Sequence, residues 1–249
     1  MSEKLTHNER MDSPSLSSGE QTALAGLAAD LGRVFGPRLH TLAVYGLHAP
    51  AASPRLLHTI ALVDHLAFSD LTQCAPLVAN WRRGSLAVPL ILEREEFLRT
   101  LDVFPLEYGD IIAHHVIVAG TDLFAGVRVA PDDVRRACEL AAKSHLVHLR
   151  EGFLETGGHP QATASLIAAS GAPFRALLAN IARLGDDHDA DVAAAAERQM
   201  GIPASVVREV LAHAGGNSSS IAEPSALLSR YIDAAERVWE FVDAWRARA

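Results

Sequence analysis

Histidine is the residue type that most directly suggests metal chemistry here, because the 249 residues include 12 histidines. His145 and His148 are three residues apart and would share one face of a helix. His114 and His115 are adjacent, so their side chains diverge on a helix or a strand. A catalytic zinc site uses three protein ligands, and the sequence identifies no further ligand beside either pair. We therefore interpret these four histidines as half-buried or interface residues.

Carboxylates form two further patterns that could carry chemistry. Glu107 and Asp110 are one turn apart on a predicted helix, where they either line a polar pocket or lie in solvent. The run Asp186-Asp187-His188-Asp189 has the composition of a metal loop. Adjacent acids between two helices are more typical of a solvent-exposed turn that caps the following helix. The first pair is therefore retained as a pocket candidate, and the acidic run is interpreted as a turn.

The elements that must position these residues fall into two groups. An S-x-x-E capping box at 17–20 begins a helix that Gly36-Pro37 ends. Up to residue 130, apolar patterning predicts strands at 39–45, 56–63 and 86–92, helices at 69–81 and 93–100, and a helix over 105–119 that runs into a strand at 115–118. From Pro131 onwards the predicted elements are all helices, at 131–154, 161–170, 173–185, 189–199, 203–213 and 224–247. The sequence thus predicts a tail (1–16), a small mixed-sheet α/β domain (17–130) and an all-α helical bundle (131–249).

The block Leu39-His-Thr-Leu-Ala-Val-Tyr-Gly46 is followed by a loop and by Leu56-Leu-His-Thr-Ile-Ala-Leu-Val-Asp64. This arrangement resembles the nucleotidyltransferase superfamily, especially its small antibiotic-modifying and minimal members. In those proteins a strand ends in Gly-Ser, the next strand carries Asp-x-Asp, a later strand adds a third carboxylate, and an all-helical domain follows. The resemblance implies a nucleotidyltransferase-like fold with a ligand pocket. Its candidate residues here are Tyr45, Gly46, His48, His58, Glu107 and Asp110.

The residues that perform the family's chemistry are missing from this block. Nucleotidyl transfer uses two metal ions, and Mg²⁺ prefers carboxylate oxygens as ligands. Gly46 is present, but Leu47 takes the place of the serine, and the Asp-x-Asp positions fall at Leu56 and His58. The predicted strand at 86–92 contains no acid before Glu93. We therefore expect no catalytic residues and no metal site, as in an inactive member of the superfamily.

Composition excludes several other classes of protein. The formal net charge of −8 argues against a protein that binds the nucleic-acid backbone. No run of 18 apolar residues is free of charge, glycine and proline, and the first 19 residues are polar, so neither a membrane span nor a signal peptide is expected. The two cysteines, Cys74 and Cys138, are expected to be reduced and buried in a cytoplasmic protein.

Three functional hypotheses remain open. The first is a non-catalytic protein with a binding, regulatory or scaffold role, which holds a nucleotide or another small molecule between its two domains. The second is an active nucleotidyltransferase acting on a small molecule or a protein, with Mg²⁺ held by acids drawn from Asp64, Glu93, Glu107 and Asp110. The third is a homodimeric interaction module built on the C-terminal helices. Only the second hypothesis requires a cofactor.

Overall fold

The structure is a computed structural model that describes residues 16–47, 56–185, 191–215 and 220–246. The chain divides into two compact units, Met1–Arg128 and Val129–Ala249. We call them the sheet unit and the helical unit. The described residues of the first form a mixed sheet with helices, and those of the second form helices without a strand. The predicted fold class is therefore confirmed.

The sheet unit contains four strands among its described residues. Its elements in chain order are α1 (Ser18–Phe35), β1 (Leu39–Tyr45), β2 (His58–Val63), α2 (Phe68–Cys74), α3 (Val78–Arg83), β3 (Leu90–Glu93), α4 (Arg94–Arg99), α5 (Pro105–Ala113) and β4 (Val116–Gly120). The predicted capping box is present at the start of α1. The backbone N–H of Ser17 donates to Glu20 Oε2 over 2.7 Å, and the N–H of Glu20 donates to Ser17 Oγ over 3.3 Å.

The strands are arranged in the order β3-β2-β1-β4. β1 pairs antiparallel with both β2 and β4, while β2 and β3 run parallel. The register places Tyr45 opposite His58 and Val44 opposite Val116. The end of β1 and the starts of β2 and β4 therefore lie at the same edge of the sheet.

One face of the sheet is covered by α1 and by the segment that contains α2 and α3. The core on this face consists of buried residues from these helices and the central strands: Leu24, Leu27, Leu31, Phe35, Leu42, Val44, Leu57, Ala61, Val63, Cys74, Trp81 and Leu86. Trp81 Nε1 donates to Asp30 Oδ2 over 2.8 Å and so ties α3 to α1. A second contact is the two-pronged ion pair between Arg38 and the buried Asp70, at 2.8 and 2.9 Å. Its geometry is that of a strong charge-assisted pair.

Prolines account for the main differences between the predicted and the observed elements of the sheet unit. The predicted helix at 69–81 is divided by a 3-10 turn at Ala75–Leu77, which contains Pro76. β3 begins only at Leu90, because Pro89 has no N–H group for the ladder. β2 also begins two residues later than predicted, at His58, although Leu57 still forms an isolated bridge with Leu86.

The helical unit is built from five described helices. They are α6 (Pro131–Glu155), α7 (Pro160–Leu184), α8 (Val192–Met200), α9 (Ala204–Ala212) and α10 (Pro224–Ala244). The two helices predicted at 161–170 and 173–185 are one continuous helix, so that prediction was wrong. Pro173 lies on the exposed side of α7, where water can bond the carbonyl that a proline leaves without a donor. The predicted acidic turn at 186–189 lies outside the described residues.

Within the described part of the chain, α7 alone has the length and hydropathy that would allow a helix to cross a membrane. It contributes ten buried residues to the helical unit and contacts α6, α8, α9 and α10. Its apolar side chains are therefore accounted for by the core of a helical bundle.

Candidate functional site

The candidate site lies at the sheet edge where β1 ends and where β2 and β4 begin. We call this the strand-end edge and define it by Tyr45, Leu56, His58, Val88 and Val116. Val88 belongs to it because β3 runs parallel to β2 and Leu90 pairs with Ile60, so the residues before each strand lie side by side. Leu56 and Val88 are each 52% exposed. The edge therefore combines two polar rings with exposed apolar side chains.

Tyr45 and His58 form a cross-strand pair at the centre of this edge. Their ring centroids are 5.9 Å apart with the planes tilted by 41°. Burial raises the pKa of the Tyr45 hydroxyl, and the negative charges of Asp110 and then Glu107 raise it further. Of the six predicted pocket residues, Tyr45 and His58 are thus in contact, and the charges of Glu107 and Asp110 reach the Tyr45 hydroxyl.

The other two predicted pocket residues have different outcomes. Gly46 follows β1 with a φ of 71°, the left-handed conformation that favours glycine. His48 lies outside the described residues. Leu47, at the position of the family's serine, is 6% exposed and belongs to the core of the sheet unit. A hydroxyl group is therefore absent where the resemblance would require one.

His114 is a polar partner at this site that the sequence did not predict. His114 Nδ1 lies 3.2 Å from Asp110 Oδ1, and both side chains are partly exposed. Asp110 lies in α5 and His114 is its C-terminal cap, and their spacing of four residues could have predicted this pair. His115 faces away and contacts Asp122, with Nε2 and Oδ1 3.3 Å apart. The two adjacent histidines therefore diverge, as predicted.

The described residues do not fit the metal centre that the resemblance implies. A two-metal site needs several carboxylates around one point, whereas Leu56, His58 and Val88 occupy the strand-end edge. No group of three His, Cys, Asp or Glu side chains within the described ranges could hold a metal ion. The intervening sequence 48–55, His-Ala-Pro-Ala-Ala-Ser-Pro-Arg, contains no acid.

The four acids proposed for an active transferase are divided between the two ends of the strands. Asp64 directly follows β2, with Oδ1 2.5 Å from His40 Nε2. Glu93 pairs in register with Val63 and accepts hydrogen bonds from the backbone of Leu66 and from His65, both at 2.9 Å. The charges of Glu107 and Asp110 instead raise the pKa of the Tyr45 hydroxyl. At 3.3 Å per residue, His58, which pairs with Tyr45, and Val63, which pairs with Glu93, are roughly 17 Å apart along β2.

The histidine pair of α6 has a structural role. His145 Nε2 lies 2.8 Å from the Tyr231 hydroxyl, and its ring stacks on Phe174 at 5.3 Å. Burial lowers the pKa of His145 to about 4. His148 points elsewhere, towards Ser144 at 3.4 Å. The two rings therefore do not converge on a ligand.

The cysteines also lack features of a reactive site. Cys74 and Cys138 are both free and buried, as predicted. Burial raises the pKa of the Cys138 thiol to about 12, which disfavours the reactive thiolate.

Comparisons with known proteins support the fold. No protein-family model and no curated protein sequence matches the chain. A crystal structure of a spectinomycin adenyltransferase from Enterococcus faecialis, determined with ATP and spectinomycin, is similar with a TM-score of 0.51. The similarity covers 86% of this chain and 98% of that chain at 10% sequence identity. At this identity the comparison establishes a nucleotidyltransferase-like fold and nothing about activity.

Proposed function

We propose that this protein binds a small molecule at the strand-end edge and does not transfer nucleotidyl groups. The observation that carries the proposal is that apolar side chains and a histidine take the place of carboxylates at this edge. Leu56, His58 and Val88 stand where the family resemblance would put metal-binding carboxylates, and Leu56 and Val88 are each half exposed. An exposed apolar edge can contact a ligand, but it cannot hold the two cations that the transfer reaction requires.

The charges of the site favour one kind of ligand. The negative charges of Asp110 and Glu107 both raise the pKa of the Tyr45 hydroxyl. A nucleoside triphosphate without Mg²⁺ would be repelled by these carboxylates, whereas a neutral or cationic molecule would not. Tyr45 and His58 add aromatic faces and hydrogen-bonding groups. The site therefore suits a polar ligand with an uncharged or positively charged group better than a free nucleotide.

The similar adenyltransferase was solved with both ATP and spectinomycin, so its structure shows two kinds of small molecule on this fold. We carry over the principle that the fold holds small molecules, and not the identity of either one. The remaining properties of the proposal follow from the sequence. We propose a cytoplasmic protein that does not bind nucleic acid, in keeping with a net charge of −8.

The first experiment is a thermal-shift titration with the four nucleoside triphosphates, each with and without Mg²⁺, and with a panel of small amines and amino sugars. A ligand at 100 times its Kd stabilises a protein by about 2.7 kcal/mol. For a chain of this length that corresponds to a rise in Tm of roughly 5–10 °C. We expect an amine or amino sugar of the panel to cause such a shift, with no dependence on metal. A nucleotide shift of this size that requires Mg²⁺ would overturn the proposal in favour of an active transferase.

Variants then locate the binding site. We expect Asp110→Asn and Tyr45→Phe each to weaken binding of the stabilising compound at least about tenfold, because each removes a group that would contact it. The matched control is Glu95→Gln, which removes one exposed carboxylate from α4 in the same unit. Equal binding by all of these variants would place the ligand elsewhere and contradict the proposed site.

A further inference from the structure

One line of side chains on α6 is apolar and exposed. Among the described residues of the helical unit, the large apolar side chains that are exposed are Leu140 at 74%, Val147 at 37% and Leu154 at 77%. We call these three residues the α6 stripe. These side chains all lie on one line, whereas exposed apolar residues on an ordinary surface are scattered. This arrangement is typical of an interaction surface.

The spacing of the stripe suits contact with another helix. Its members are separated by seven residues, which is two turns at 3.5 residues per turn, and they span about 21 Å of helix. A strict seven-residue repeat keeps side chains on the seam between two helices that cross at a small angle. The opposite face of α6 is already used, because Cys138, Ala142, Leu146 and Leu149 are buried inside the helical unit. α6 therefore has two apolar faces, and its own bundle covers one.

Charged residues beside the stripe differ between its two sides. Arg136, Lys143 and Arg150 form a basic row on one side, also at seven-residue spacing. Each of them has a partner within the chain: Arg136 pairs with Asp133, Lys143 Nζ lies 3.6 Å from the Trp239 ring centroid, and Arg150 donates to Glu236 over 3.1 Å.

The other side of the stripe carries Ser144 and Glu151, again seven residues apart. The stripe thus has a basic margin and a margin that is polar and acidic.

This asymmetry makes α6 complementary to a second copy of itself in one orientation. Two copies of α6 related by a two-fold axis along the helix run parallel, and the basic row of each faces the Ser144 and Glu151 row of the other. Two antiparallel copies would instead set one basic row against the other, which is unfavourable. We propose that two copies of this chain associate in parallel through the α6 stripe. This surface is independent of the small-molecule site proposed above.

The oligomeric state of the full chain tests the association. Sedimentation velocity over a range of concentrations is expected to show a reversible dimer. Leu140→Glu combined with Leu154→Glu is expected to raise the dimer dissociation constant at least about tenfold, because it places four like charges in the contact. The matched control is Phe68→Glu with Val103→Glu, which charges two exposed apolar residues of the sheet unit. A wild-type monomer at every concentration, or equal weakening by the control pair, would overturn the proposal.

Thiol crosslinking tests the orientation. Leu140→Cys and Leu154→Cys variants are prepared separately and treated with a short bismaleimide, with wild type as the control for the buried Cys74 and Cys138. In a parallel dimer each variant crosslinks with itself, because equivalent residues face each other. In an antiparallel dimer crosslinks form only when the two variants are mixed. Self-crosslinking of both variants is the expected result, and crosslinking confined to the mixture would overturn the parallel arrangement.

Discussion

Gly120 lies directly against the main-chain carbonyl of His40. A Cβ atom at Gly120 would be 1.9 Å from His40 O and 2.7 Å from its carbonyl carbon, and Gly120 has a φ of 82°. The contact occurs where β4 ends beside β1, so the edge strand can close onto the sheet only if this position lacks a side chain.

We expect Gly120→Ala to lower the free energy of unfolding by about 3 kcal/mol or more, because backbone atoms would have to move. Chemical denaturation measures this loss. Gly126→Ala is the matched control, since Gly126 has a φ of 79° but no atom within 4 Å of its virtual Cβ. That variant should lower the free energy of unfolding by only about 1 kcal/mol, the cost of a left-handed backbone conformation for alanine. Equal losses in the two variants would show that the contact with His40 is unimportant.

The sequence predicted most elements because periodicity and capping are local properties. The capping box of α1 and the apolar run of β1 both appear where they were predicted. α7 was predicted as two helices, 161–170 and 173–185, with the break just before Pro173, and proline is a residue that usually ends a helix. That local rule failed because the apolar face of α7 is buried along its whole length, while Pro173 lies on the exposed side. Tertiary packing therefore outweighed a local preference.

The candidate site was only partly predictable for the same reason. The pairing of Tyr45 with His58 follows from two antiparallel strands joined by a loop. The effect of the Asp110 and Glu107 charges on Tyr45 depends on where the fold places α5, which no local pattern specifies. Val88 was missed because its position depends on the parallel register of β3 beside β2.

His145 should make the stability of the helical unit depend on pH. Its pKa is lowered to about 4 in the folded protein by burial, from an ordinary value near 6.5. The folded state therefore binds fewer protons than the unfolded state between these values, so stability is retained above pH 6.5 and lost as the pH falls towards 4. By pH 4.5 this one group is expected to remove about 2 kcal/mol.

Urea denaturation at pH 7 and pH 4.5 measures this loss, and the comparison with variants isolates His145 from other titrating groups. His145→Gln is expected to lose about 2 kcal/mol less stability than wild type over that interval, because glutamine does not titrate. His159→Gln, at an exposed histidine just before α7, should retain the wild-type dependence. An unchanged pH dependence in His145→Gln would contradict the assignment.

Thr59 carries an unpaired hydroxyl in the core of the sheet unit. The side chain is 1% exposed, and its Oγ1 has no hydrogen-bond partner within the described ranges. Removing a buried polar group that lacks a partner recovers its desolvation cost. We expect Thr59→Val, which keeps the branched shape, to raise the free energy of unfolding by about 1 kcal/mol in chemical denaturation. Thr41→Val is the control, because Thr41 Oγ1 donates to the Thr121 carbonyl over 2.5 Å and its loss should destabilise. Destabilisation by both variants would mean that Thr59 has a partner in solution.

Restoring carboxylates at the strand-end edge tests whether the fold has lost a metal site. Leu56→Asp with His58→Asp recreates an Asp-x-Asp pair on one face of the chain, and both positions are exposed, so the substitutions should be tolerated. We expect this double variant to bind Mn²⁺, measured by electron paramagnetic resonance, at least about tenfold more tightly than the uncharged Leu56→Asn, His58→Asn control. The reason is that a hard cation binds more tightly to two carboxylates than to two neutral amides. Equal Mn²⁺ binding by both variants would show that these positions do not correspond to the metal ligands of the family. Binding by the wild-type protein as tight as by the aspartate variant would contradict the proposal of a non-catalytic site.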